Sequence, residues 1–169
     1  MHKKIAIVAV DNNWAIGKDN KLLYNIPSDM TFFKNMTTGK IVIYGLNTLN
    51  SFPNQKPLPY RTNIVVSPET IHKDNLYTAH SIKEVDEILS TIDGYSDAFI
   101  CGGASIYKQM LASCDECLVT HIDATTEDAD TFFPNLIELG GWNKKECLLE
   151  TFDDKSQLHI EVWRYVKAV

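Results

Sequence analysis

Apolar and polar positions along the chain follow two rhythms. Residues 5–10, 40–44, 63–67, 98–101 and 118–122 are short runs rich in Ile, Val and aromatic side chains without polar alternation, the pattern of strands covered on both faces. Helical stretches lie between them. Pro27 suits a first helical turn and Gly39 can close the helix it opens. Ser81 and Glu84 form a capping box ahead of Val85, Ile88, Leu89 and Ile92, which continue at helical spacing to Gly94. Another helix runs through Ile106, Tyr107, Met110 and Leu111, and Gly45 to Thr48 opens a helical turn directly after a strand. Residues 76–79 form a further short strand, and residues 142–149 and 158–166 form two closing strands. In the last, Leu158, Ile160 and Val162 alternate with His159, Glu161 and Trp163, which predicts an antiparallel edge or hairpin with one solvated face. Strands alternating with helices predict an α/β fold built on a parallel sheet.

One side chain breaks the pattern. In the helix after Pro27, the 100° step places Asp29 between Phe33 and Met30 on one side and Met36 and Phe32 on the other. Ser28, Thr31, Lys34 and Asn35 point away, and the position four residues on is Phe33, so Asp29 has no cation along its own helix. A carboxylate on an apolar face costs several kcal/mol, by rough estimate, unless it neutralises or finds donors. Serving the first-turn N–H groups is one use for it. The other is a ligand with adjacent N–H donors, such as an amidine-like ring edge held bidentately.

Composition narrows the classes. The chain of 169 residues is long enough for one domain, residues 1–169, with a real core. With 16 Lys plus Arg against 22 Asp plus Glu and no basic run, nucleic acid and anionic membranes are poor partners. The apolar run after Lys3 and Lys4 ends at Asp11, too short for a signal peptide or a span, so a cytoplasmic protein is expected. Cys114 and Cys117 form a C-x-x-C pair, but it follows a helix, carries two acids, and lacks a second ligand pair. With Cys101 and Cys147 it reads as reduced thiols, and no metal site is expected. The five histidines, His2, His72, His80, His121 and His159, show no ligand spacing.

Several turns carry candidate chemistry. Residues 11–21 are turn-rich yet hold Trp14 and Ile16, which suits either a lid that closes over a ligand or a polar loop with two side chains tucked into the core. Gly45 and Gly102-Gly103 each stand between a strand and a helix, where phosphates bind, although a tight turn alone accounts for either. Pro53, Pro57 and Pro59 stiffen the loop before Arg61, Ser67 stands at the carboxyl end of its strand, and Thr120 is a hydroxyl in an apolar strand that needs a partner.

Ile16-Gly17, Pro27-x-Asp29-Met30-x-x-Phe33-Lys34, Pro57-Leu58-Pro59-x-Arg61-x-Asn63, Gly102-Gly103-Ala104-x-x-Tyr107 and Thr120-His121-Ile122-Asp123 occur in one order, and with them the chain resembles dihydrofolate reductases of the bacterial type nearly end to end. The resemblance implies a roughly eight-stranded, mostly parallel sheet with an antiparallel C-terminal strand, flanked by four helices. It implies reduction of 7,8-dihydrofolate by hydride transfer from NADPH, in a monomer that takes dihydrofolate and antifolate inhibitors as ligands. Asp29 and Thr120 would hold the pterin, with Tyr24 and Leu22 beside the reacting rings. Ile5, Ile7, Met30, Phe33, Lys34, Phe52, Leu58 and Cys101 would line the substrate, and Arg61 would clamp its tail carboxylate. Cofactor positions would be Ile7, Ile16, Gly17, Leu22, Gly45, Leu46, Asn47, Thr48, Ser67, Cys101, Gly102, Gly103, Ala104, Ser105, Ile106 and Tyr107. The chain departs from the family where Leu46 replaces a common Arg, where Asn47 and Pro68 are less basic or donating, and where Tyr24 replaces the usual Trp. A pyrimidinone reductase of riboflavin synthesis shares this kind of fold but lacks the pterin-binding acid, and a regulatory module without turnover would be expected to lose the acid or the closing loop.

Overall fold

A computed structural model of the chain describes residues 2–19 and 21–169; Asn20, in the predicted lid turn, lies outside them. The first half contains β1 (Lys4–Val10), β2 (Ala15–Lys18), β3 (Lys21–Leu22), α1 (Pro27–Thr37), β4 (Ile41–Gly45), α2 (Leu46–Ser51), β5 (Thr62–Val66) and β6 (Leu76–Ala79). The second half contains α3 (Ile82–Thr91), β7 (Ala98–Ile100), α4 (Ala104–Met110), β8 (Glu116–Ile122), β9 (Thr131–Phe132), α5 (Leu136–Leu139), β10 (Trp142–Asp153) and β11 (Leu158–Lys167). The main sheet has the order β10-β11-β8-β1-β7-β4-β5-β6, and β3-β2-β9 form a small second sheet.

The predicted parallel sheet is present. β1 pairs in parallel with β7 and β8, and β4 with β5 and β7, so the apolar runs are the strands that need cover on both faces. Successive side chains of β1 serve opposite layers. Ala6, Val8 and Val10 join one core with Val85, Leu89 and Met110 of α3 and α4, while Ile5 and Ile7 join another with Phe32, Phe33 and Met36 of α1. That second layer decides where Asp29 stands.

The antiparallel C-terminal strand is present as expected: β11 pairs antiparallel with both β8 and β10, so it alone runs against the main sheet. The sequence reading needs three adjustments. β10 continues past residue 149 to Asp153 because its pairing with β11 persists to Asp153 and Leu158. The small sheet and α5 were not foreseen, being strands of two to four residues and a helix of four. At Ser81 the cap is half the expected box: its hydroxyl accepts Glu84 N–H at 3.2 Å, but the Glu84 carboxylate accepts from His80 N–H at 2.6 Å rather than from Ser81. No helix among the described residues is long and apolar enough to cross a membrane.

Candidate functional site

Asp29 is held by a partner its own helix could not supply. Thr120, 3% exposed on β8, donates its hydroxyl to Asp29 Oδ1 at 2.6 Å. This is the partner that the buried hydroxyl required, made directly. Asp29 joins no ion pair among the described residues. Among the described residues its Oδ2 has no hydrogen-bond partner, and it is not sealed from solvent. Burial pushes the carboxyl above its ordinary value, and the Thr120 bond pulls part of the way back.

The carboxylate ends in a cleft lined by Ala9, Ala15, Ile16, Leu22, Leu23, Tyr24, Ile26, Met30 and Ile122. One acid in an apolar cleft, with an oxygen to spare, suits a flat ring whose edge carries N–H donors. The sequence reading placed Ile16, Leu22, Tyr24, Asp29 and Met30 here but missed Ala9, Ala15, Leu23, Ile26 and Ile122, which carry no chemistry of their own. Met30 is 56% and Leu22 80% exposed, so both stand at the rim.

Ile5 and Ile7 lie in the α1 layer, and Phe33, Phe52 and Leu58 pack against the same cluster. The Asn63 side chain shapes this wall: Oδ1 accepts Leu58 N–H at 2.9 Å and the Tyr44 hydroxyl at 2.7 Å, and Nδ2 donates to Leu58 O at 2.8 Å. Arg61 stands beside it, 9% exposed. Its Nε donates to Thr37 Oγ1 at 2.9 Å and its guanidinium lies 5.9 Å from the Phe33 ring centre, yet it meets no carboxylate among the described residues. Among the described residues neither terminal nitrogen of this largely buried guanidinium has a partner, an arrangement that suits an anion. Lys34 lies exposed on the outer face of α1.

Two turns meet at the carboxyl ends of β4 and β7, where Gly45 N–H donates to Gly102 O at 2.9 Å. The Gly102-Gly103 peptide is cis. A Cβ on Gly45 would come within 3.1 Å of the Ile106 side chain, and one on Gly102 within 3.4 Å of Thr48 Oγ1, so the glycines let the turns approach. Asn47 and Ser105 are exposed, Leu46, Thr48, Gly103 and Ala104 half-buried, and Ser67 is 2% exposed. Ile106 and Tyr107 turn inward, with the Tyr107 hydroxyl donating to Ile7 O at 2.7 Å, so these two support the turn from beneath. His80, which no sequence motif singles out, sits against Ser67 O at 3.1 Å through Nδ1. Hydroxyls, backbone donors and the room above Gly103, where a Cβ would meet only Thr48 Oγ1 at 3.7 Å, fit a phosphate-bearing cofactor.

The 11–21 segment combines both readings of it. Trp14 and Ile16 are buried, and Trp14 packs against His121, Phe133 and Tyr165. Asp11, 1% exposed, accepts N–H bonds from Asn13 and Ala15 on Oδ1 and from Thr126 on Oδ2. Asp130 accepts Asp19 N–H at 3.0 Å, and the Tyr24 hydroxyl meets Thr126 Oγ1 at 2.7 Å. Gly17 is needed at its position, since a Cβ there would lie 3.0 Å from Lys21 O.

Other candidates stand apart from the cleft or are unreactive. Cys101 is free and its Sγ donates to Phe99 O, with burial pushing the thiol up to about 12. Burial likewise raises Cys114, to about 11, and Cys117. Burial lowers His121 to about 4, with Lys144 adding to the effect, so the ring is neutral. Strand pairing brings Glu150, His159 and Glu161 within 4.8 Å on the hairpin, a grouping invisible in linear spacing, where Glu161 also receives Trp163 Nε1.

Comparisons with known proteins agree with this geometry. The sequence profile of the family described as dihydrofolate reductase matches residues 4–167. The chain is 36% identical over 130 residues to a dihydrofolate reductase of Haemophilus influenzae, covering 77% of this chain and 78% of that one. To a dihydrofolate reductase of Bacillus subtilis it is 34% identical over 162 residues, 95% of this chain and 92% of the relative. A solved dihydrofolate reductase from Enterococcus faecalis, complexed with NADP(H) and RAB-propyl, superposes with a TM-score of 0.83 at 30% identity, covering 99% of this chain and 97% of that one.

Proposed function

The chain belongs to the dihydrofolate reductase family, and on that premise we infer that its Asp29 cleft reduces 7,8-dihydrofolate to 5,6,7,8-tetrahydrofolate with NADPH. The product supplies one-carbon metabolism and thymidylate synthesis. The observation that carries the reading is the half-satisfied acid: Thr120 occupies one oxygen of Asp29 and the other opens on an apolar cleft. That arrangement receives the 2-amino and ring N–H donors of a pterin.

Bound in this site, NADPH would supply a hydride for pterin C6, with a proton added at N5. The protein's part is orientation, exclusion of water and electrostatic bias toward the protonated pterin. Asp29 holds the ring and favours the protonated form from the opposite edge, with water relaying the proton to N5. Met30, Phe33, Phe52 and Leu58 wall the ring and benzoyl group, and Arg61 clamps the tail carboxylate as a planar fork. Gly45, Leu46, Asn47, Thr48, Ser67 and the turn from Gly102 to Ser105 receive the cofactor, with Ile16, Gly17 and Leu22 over its nicotinamide. Leu46 brings no charge to the phosphates, so cofactor affinity rests on backbone donors and hydroxyls. A monomer in the cytoplasm, with no nucleic-acid or membrane partner, fits the net charge of −6 and the absence of any membrane-length apolar helix among the described residues.

The test is cofactor oxidation with dihydrofolate, run with NADPH and then NADH, for the natural chain and Asp29→Asn. The natural chain turns over with NADPH, and Asp29→Asn loses about a hundredfold or more in rate while still binding NADPH. Near-normal turnover by the variant would remove Asp29 from the reaction.

A further inference from the structure

The first turn of a helix leaves backbone N–H groups in need of acceptors. In α1 that need reduces to one group. Pro27 has no N–H, and the N–H groups of Asp29 and Met30 both bond Ile26 O at 3.0 Å. Ser28 N–H remains, and Ile26 at the cap position offers no side-chain acceptor.

The acceptor comes from the far end of the chain. Asp153, the last residue of β10 and 3% exposed, receives Ser28 N–H on Oδ1 at 2.9 Å and the Ser28 hydroxyl on the same oxygen. Its Oδ2 accepts Ser156 N–H at 2.7 Å and its carbonyl accepts Gln157 N–H at 2.8 Å, so the residue that caps α1 also folds the hairpin turn. A negative charge at a helix start is favourable in itself.

The same hairpin leads to the other half of the acid's environment. Val162 of β11 is the register partner of Thr120 on β8. A ring of contacts therefore runs from Asp29 through Ser28 and Asp153, along the hairpin to Val162, across to Thr120, and back to Asp29 over 2.6 Å. We propose that Asp153 is a positioning residue for Asp29: it pins the start of α1 to the hairpin that pairs with the strand of Thr120, and so fixes where the carboxylate stands. The proposal rests on the reading of this cleft as the dihydrofolate site, and turnover by the natural chain tests that reading separately.

Asp153→Ala, Asp153→Asn and Ser28→Ala in the full chain separate positioning from simple stability. Hydride transfer is followed in a single turnover at saturating NADPH and dihydrofolate, at a temperature where circular dichroism shows each variant folded, and NADPH affinity is measured by fluorescence. Because small misplacements of a reacting group are costly, Asp153→Ala slows the transfer about tenfold. Asp153→Asn stays within about twofold, since its amide oxygen still accepts Ser28 N–H, and Ser28→Ala falls between the two. NADPH affinity is unchanged in all three. A natural transfer rate in folded Asp153→Ala, equal losses in the Ala and Asn variants, or NADPH affinity falling in step with rate would each overturn the proposal. Should Asp153→Ala fail to fold, a natural rate in Ser28→Ala does so instead.

Discussion

At the residue scale, Asp29 carries a tension between stability and chemistry. Burial raises its carboxyl above the unfolded value, so the native chain holds the proton more tightly than the unfolded one. The stability linked to that proton is fully present below the unfolded value and is lost as pH rises through the folded value. At neutral pH the unliganded protein therefore carries an unfavourable charge. Asp29→Asn, which keeps an acceptor for Thr120, raises the Tm of the unliganded protein at pH 7, and thermal melts should show the gain fading as pH falls below the ordinary carboxylate range. Arg61 is the opposite case, a largely buried cation that meets no carboxylate among the described residues and is proposed to bind the substrate's tail. Arg61→Lys loses both the Thr37 bond and the planar fork, a loss of roughly 1.5–3 kcal/mol. Steady-state kinetics should show the KM for dihydrofolate rising about ten- to a hundredfold with kcat little changed. Both residues were legible in the sequence, Asp29 from the helical wheel and Arg61 from its family motif. Thr120 was legible as well, a hydroxyl in an apolar strand and part of a family motif, though its direct bond to Asp29 was not; Thr37, the partner of Arg61, was missed, since hydroxyls pair across the fold at separations no local pattern encodes.

At the element scale, the strands of the main sheet could be read because burial on both faces leaves an uninterrupted apolar run. The small sheet could not. β2 pairs with β9 through a few residues more than a hundred positions apart, and Ala15, Ile16 and Gly17 show no alternation to betray it. Trp14 shows the same blindness, since it holds φ +62 and is buried, a backbone state secured by its packing against His121, Phe133 and Tyr165 and by backbone bonds to Asp11 O and from Phe133 N–H. The segment is moored by Asp11, whose carboxylate takes three backbone N–H groups from both sides of the junction. Asp11→Ala leaves those donors without their charged acceptor, at about 1.5–3 kcal/mol for each bond to a charged group that water does not replace. The expected outcome is a lower Tm and faster amide exchange at Asn13, Ala15 and Thr126, with exchange at β4 and β5 altered only as far as global stability falls.

At the scale of the whole molecule, the sheet is tied at its other end by Glu116, which accepts from Arg164 through Nε at 3.0 Å and Nη2 at 3.1 Å, and from Lys3 at 3.0 Å. Burial pushes this carboxyl up, but the Arg164 and Lys3 hydrogen bonds outweigh it and hold it below the ordinary value. Its contribution is present above the unfolded value and lost as pH falls through the folded one, opposite in sign to that of Asp29. Glu116→Gln lowers stability at neutral pH and flattens the acid limb of a Tm-against-pH curve. An upturn in relative stability of the natural chain at neutral pH, measured against the variant, is the check. Sheet order itself was beyond the sequence reading, because strand runs announce that they are central without naming their neighbours.

That order has a consequence for how the chain is made. The partners of β1 are Ala98–Ile100 and Glu116–Ile122, so this greasy ribbon has no strand to pair with when it leaves the ribosome. Its edges stay open until residues 98–122 have been translated, and throughout that interval it is a sticky segment that a chaperone can shield or a neighbouring nascent chain can capture.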